Sequence, residues 1–181
     1  MTRTEREITC RPARPGDQDA ISAIDASFAT DTVFEVTTAE DGFTLRSIPV
    51  DPPLRKIFPE DDAQADPEPA GMQRFVAVHG DLVCGFADVR YESWNRRLTI
   101  ADIAVSPAHR GRGAGRALLE RALEHGRRAG AGHLWLEVTH VNAPAIRAYL
   151  RMGFRFCGLD TSLYQGTASA GEVALFMSRP C

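Results

Sequence analysis

Lysine is nearly missing from this sequence: of 21 basic residues, only Lys56 is one. Arginine supplies the rest, and the arginines form no continuous stripe, which argues against nucleic acid as a partner. Cysteine is sparse as well. Cys10, Cys84, Cys157 and Cys181 stand far apart with no CxxC pair and no histidine at metal spacing, so free thiols in a reducing cytoplasm are expected and no bound metal. No run of about 18 apolar residues is present, which excludes a helical membrane span. The opening MTRTEREITCRPARPGD lacks the apolar centre of a secretory signal. An ordinary globular composition over 181 residues leads to the expectation of one domain, 1–181, with a sizeable core.

What charge there is falls unevenly. Residues 1–97 hold 18 acids and 11 bases, a balance of −7, whereas residues 98–181 hold 6 acids and 10 bases, a balance of +4. That split suits a chain whose second half holds an anion and whose first half meets a cation.

Hydrophobic periodicity predicts strands at 8–13 and 133–139, a helix over 17–28 with Ile21, Ile24 and Phe28 on one face, and a hairpin over 32–50 turning at Asp41-Gly42. The proline-rich, acidic stretch at about 50–73 reads as an irregular loop. Strands on either side of Gly80-Asp81 and a third at 97–105 form a meander, and a helix follows from Ala114. A further helix over 142–152 has Asn142 as its cap, Pro144 in its first turn and Gly153 at its stop. Two last strands close the chain. The pattern is α/β, with α+β character and a mixed sheet.

The segment Ser106–Gly130 carries the strongest chemical signal. Gly111, Gly113 and Gly115 alternate with arginines just before a helix, although each glycine inside a helix costs about 1 kcal/mol. A phosphate-binding Walker loop needs Gly-Lys-Ser/Thr, and Arg116-Ala117 follow instead. A dinucleotide fingerprint needs GxGxxG with an acid ending the next strand, and neither condition is met. A helix start stripped of side chains points its unpaired N–H groups at one spot with the helix dipole behind them. The expected ligand is a pyrophosphate.

Arg110-Gly111-Arg112-Gly113-Ala114-Gly115 has the form R-x-x-G-x-G, which resembles the acyl-CoA signature of the GNAT N-acetyltransferase superfamily. The run Asn142 to Phe154 is similar to that superfamily's N-x-x-A-x-x-x-Y-x-x-x-G-F motif. Residues 24–62, the segment YESWNRRLTIADIAV and residues 157–178 resemble the streptothricin (nourseothricin) acetyltransferases. The resemblance implies a GNAT fold, a central, mostly antiparallel sheet of about six to seven strands flanked by helices. It also implies acetyl transfer from acetyl-CoA to a primary amine on the β-lysine chain of a streptothricin, which inactivates the antibiotic. A homodimer is left open.

Carried over residue by residue, the resemblance assigns the CoA side to Ile103, Ala104 and Val105 along a strand, to Arg110, Gly111, Arg112, Gly113, Ala114, Gly115 and Arg116 in the cradle, and to Asn142, Ala145 and Tyr149. Glu137 becomes the base and Tyr149 the acid that protonates the leaving thiolate. Asp102 competes with Glu137 and is read as a ligand of the substrate ammonium. A bulge near it would change which way neighbouring side chains point. Acids such as Glu35 and the Glu60-Asp61-Asp62 run, with the faces of Phe34, Phe43, Trp94 and Tyr164, form an expected wall for a cationic substrate. Two other readings stand beside this one: a GNAT enzyme acting on an aminoglycoside, polyamine or protein N-terminus, and a non-catalytic acyl-CoA-binding module.

Overall fold

The computed structural model describes residues 7–58 and 70–181. They separate into two compact units: unit one holds 7–26, 70–134 and 180–181, and unit two holds 27–58 and 135–179. The fold is mixed α/β, with a main sheet of seven strands, mostly antiparallel and flanked by helices, and a separate two-stranded sheet.

Unit one contributes β1 (Ile8–Pro12), β4 (Met72–His79), β5 (Leu82–Glu92) and β6 (Arg97–Val105), side by side in the order β1-β4-β5-β6 and antiparallel throughout. Two helices accompany them, α1 (Gln18–Ser22) and α2 (Ala114–Ala129). The run Phe75-Val76-Ala77-Val78 is buried at every position, as a strand covered on both faces must be. Val76 and Val78 join Phe86, Ala104 and Ile21 of α1 on one face. Phe75 meets His125 and the Arg121 guanidinium of α2 on the other. Leu118, Leu119, Ala122 and Leu123 form the buried stripe of α2, which ends at Gly130 with φ +86°.

Unit two holds β2 (Phe28–Ala39) and β3 (Gly42–Lys56), then β7 (His133–Thr139) from Trp135 onward, α3 (Ala143–Arg151), β8 (Arg155–Asp160) and β9 (Ala174–Pro180) as far as Arg179. Phe28, Val33 and Val141 form a small core with Ile48, Val50 and Leu54. The Asn142 side chain accepts the Ala145 N–H at 3.2 Å and caps α3. At the other end of that helix Arg179 donates to the Met152 carbonyl at 2.8 Å.

Three expectations change. The helix expected over 17–28 is only α1, because Phe28 opens β2 opposite Lys56 and packs in the unit-two core. The turn of the first hairpin is Glu40-Asp41, with Gly42 already paired to Ala39. Residues 50–56 belong to β3 and not to a loop: Thr30 pairs Leu54 and Thr32 pairs Pro49, so the prolines at 52 and 53 sit in a bulge where no ladder N–H is required. Of the expected irregular stretch, 59–69 lies outside the described residues.

Candidate active site

In unit one the strand-to-helix passage builds the cradle. After β6, Ser106 donates its N–H to the Cys84 carbonyl, and Pro107–His109 form a single 3-10 turn. Arg110 folds back, its Nε donating to the Val105 carbonyl and its Nη2 to the Asp25 carbonyl, both at 2.9 Å. The guanidinium therefore pins the loop to the end of β6 and to the segment after α1. Gly111 and Gly113 adopt φ of +73° and +94°. A Cβ at either would meet nothing within 4 Å, so the left-handed backbone, not lack of room, selects glycine there. Gly113 is the N-cap of α2, and no side chain caps the helix. The first-turn N–H groups at 114–116 are left for an outside acceptor, which fits a phosphate. Arg116 is engaged with Glu120 one turn on, at 2.8 Å, so it contributes less charge to the cradle than its position suggests.

β6 carries the expected bulge. Asp88 pairs Asp102 while Val89 pairs Ile100, which leaves Ala101 as the extra residue. Beyond it Asp102 and Ala104 share the α1 face, and Ile103 and Val105 point to the α2 face. Asp102 is exposed. Its cross-strand neighbour Asp88 is buried and held by Arg74 through two hydrogen bonds of 2.6 Å. That pair offsets the repulsion two facing acids would otherwise suffer.

In unit two the side chains of Trp135, Glu137 and Thr139 alternate onto one side of β7. Trp135 stacks on Phe176. Glu137 accepts a hydrogen bond from the Tyr164 hydroxyl, and Thr139 donates to Glu172 at 2.5 Å. Glu172 is also ion-paired with Lys56. Surrounding protein lifts the Glu137 carboxyl above its usual range; the Tyr164 hydrogen bond opposes that rise, and the charge of Glu172 adds to it. Burial and the contact with Glu137 push the Tyr164 phenol far up, so it remains a donor. Tyr149 is half-buried on α3, its ring 5.7 Å from that of Phe154.

The geometry thus joins two residues the sequence had placed in different roles, Glu137 and Tyr164. Phe34 meets Phe156 edge-on at 6.1 Å, and Glu35 is paired across the hairpin with Arg46 at 3.0 Å. Phe43 lines a shallow concavity at the hairpin tip. Trp94 is 83% exposed in the β5–β6 turn of unit one, at the opposite end of nine-residue β6 from the cradle. Glu60, Asp61 and Asp62 lie outside the described residues. Sequence reasoning missed Lys56, Thr139 and Glu172. The signal available for them was the singularity of Lys56 among the basic residues.

Residues 41–154 match the acetyltransferase (GNAT) family. The chain belongs to that family. As a GNAT acetyltransferase it takes its acetyl group from acetyl-CoA. It is 60% identical over 178 residues to the streptothricin acetyltransferase of Streptomyces lavendulae, with 94% of each chain covered. Its structure superposes on that of a nourseothricin acetyltransferase with a TM-score of 0.88 and 59% identity, covering 96% of this chain and 98% of the other. An acetyltransferase structure from Bacillus anthracis str. Ames, in complex with acetyl coenzyme A, shares the fold at a TM-score of 0.80 and 22% identity, covering 97% and 100%.

Proposed function

We propose that this GNAT enzyme transfers acetyl from acetyl-CoA to a primary amine on the β-lysine chain of a streptothricin and so inactivates the antibiotic. The observation that carries the reading is the 60% identity across 94% of the chain, because it extends over the β2–β3 pair and the β8–β9 segment as well as the CoA motifs. The family match spans both compact units, which supports treating 1–181 as one functional domain. A cationic small molecule, with no nucleic acid involved, is the acceptor this reading requires.

The roles follow from the chemistry. The N–H groups of 114–116 and the left-handed Gly111 and Gly113 receive the pyrophosphate of CoA, with Arg110 and Arg112 beside them. Ile103, Ala104 and Val105 offer strand backbone to the pantetheine arm, and Asn142 and Ala145 border it. Asp102 attracts the ammonium. An alkyl ammonium near pKa 10.4 has no lone pair, so Glu137 takes one proton from it. The freed amine attacks the thioester carbonyl, the carbon–sulfur bond breaks as Tyr149 gives its proton to the departing thiolate, and the second proton shed by the acetylated nitrogen restores Tyr149 to its neutral form. Phe34, Glu35 and Tyr164 face the rest of the acceptor.

Release of free CoA thiol with a streptothricin as acceptor tests this. Saturable turnover is expected. Glu137→Gln should lower kcat by about 10²–10³, in the range of general acid–base contributions, and Tyr149→Phe by a similar factor. No turnover in a protein that still binds acetyl-CoA would contradict the function. Full activity of Glu137→Gln would contradict the assignment of the base alone.

A further inference from the structure

The only lysine in the sequence sits where arginine, used at the other 20 basic positions, does not. Lys56 ends β3 with its side chain 12% exposed. Its ammonium is paired with Glu172, donates to Ser169 Oγ at 2.8 Å, and lies 5.8 Å from the centre of the Phe58 ring. Three donors on one compact centre serve two acceptors of the same loop, a task suited to an ammonium more than to a planar fork.

That loop is residues 161–173, between β8 and β9. It is fastened at several points, all in unit two. Glu172 accepts from Thr139 of β7. The N–H of Val173 donates to His140 Nδ1 at 2.9 Å, and the N–H of His140 donates to the Val173 carbonyl at 2.9 Å. Tyr164, in the same loop, donates to Glu137. Between these ties the loop makes four short turns, with Gly166 and Gly171 in the left-handed region.

The geometry points to Lys56 as a positioning residue: by pairing with Glu172 it clamps the β8–β9 loop, seats Tyr164 on Glu137, and neutralises the carboxylate nearest the base. This rests on the reading of Glu137 as the base. The groups facing Glu137 are Tyr164 and Glu172 from the loop, with Lys56 behind Glu172. His140 follows β7, and burial lowers the pKa of its ring against the opposing charge of Glu172 and the Val173 N–H. Glu172 already adds to the rise of the Glu137 pKa. With the ammonium removed, the charge of Glu172 bears on Glu137 uncompensated, and Glu137 takes up its proton at higher pH.

The test is a carbon-13 titration of the glutamate carboxyls in the full-length protein, with Glu137→Gln and Glu172→Gln for assignment. It is run beside the pH profile of kcat/KM. In Lys56→Met, which keeps the apolar stem, the Glu137 titration should move up by about half a unit or more, and the acid limb of kcat/KM should follow. In Lys56→Met/Glu172→Gln, which removes the carboxylate as well as the ammonium, Glu137 should titrate at lower pH than in Lys56→Met. An unchanged Glu137 titration in Lys56→Met, or one as high in the double variant as in Lys56→Met, overturns the proposal. The NMR readout stands even if Glu137→Gln proves fully active, so failure of the base assignment is told apart from failure of this one.

Discussion

Glu137 and Thr139 share one side of β7, and different residues of one loop engage each of them. Glu137, the proposed base, is held in position by a donor, Tyr164, that itself stays protonated. In that role its raised pKa should place the acid limb of activity above the usual glutamate range, the rate falling as pH drops through the Glu137 value, because the protonated carboxyl takes no proton from an ammonium. Asp17 in unit one shows the opposite sign. Arg11 grips it with two hydrogen bonds of 2.7 and 2.9 Å, and the Arg14 N–H adds a third at 2.7 Å, holding its carboxyl at about 2 instead of the ordinary 3.8. A depressed folded-state pKa adds stability above the unfolded value and loses it as pH falls through the folded one. Asp17→Asn should therefore cost on the order of 1–2 kcal/mol near neutral pH, allowing for the partly exposed Arg11. The difference from the parent protein should shrink between pH 4 and about 2 in urea melts. A cost that does not vary over that window would show that the ion pair is not its source. Cys10, pushed up to about 11 by burial, is an unreactive thiol near neutral pH, in keeping with four free cysteines.

On the proposed acetyl-CoA side, the element that matters is the start of α2. Gly113→Ala adds a Cβ that meets nothing within 4 Å, yet must sit at φ +94°. The expected cost is about 1–2 kcal/mol, a fall in Tm of roughly 2–8 °C for a chain of this size, with KM for acetyl-CoA rising by about tenfold as the helix start shifts. Thermal melts and steady-state kinetics check both; an unchanged Tm and KM would show that the left-handed cap is not required. Elements of this kind were legible in the sequence because their signals are local: the glycine-arginine run, Asn142 with Pro144, and Gly80-Asp81 between apolar runs. The misread elements depend on distant partners. Ile21, Ile24 and Phe28 have helical spacing, but Phe28 is taken by a strand partner, Lys56, far along the chain, and the prolines at 52 and 53 are tolerated only because they lie in the bulge opposite Asp31. The Lys56–Glu172 pair spans 116 residues, which no window of periodicity reaches. Glu137 and Tyr149 are singled out by motif resemblance alone, whereas the meeting of Tyr164 with Glu137 left no signal in the sequence.

At the scale of the whole molecule, the charge imbalance between the two halves of the sequence does not map onto the two compact units, since unit two gathers residues from both halves. Anion-binding features lie in unit one at the start of α2, and the proton-transfer candidates lie in unit two on β7 and α3. Among the described residues, no helix is long and apolar enough to cross a membrane. Acetylation of a streptothricin amine is tested by kcat/KM for CoA release across a streptothricin, an aminoglycoside, spermidine and a short peptide, with mass spectrometry of each product. The streptothricin should exceed every other acceptor by at least about 10², the discrimination expected when a site's polar groups are matched to one substrate, and should gain a single acetyl on its β-lysine chain. Comparable or faster turnover of spermidine, the aminoglycoside or the peptide would show that streptothricin is not the preferred acceptor.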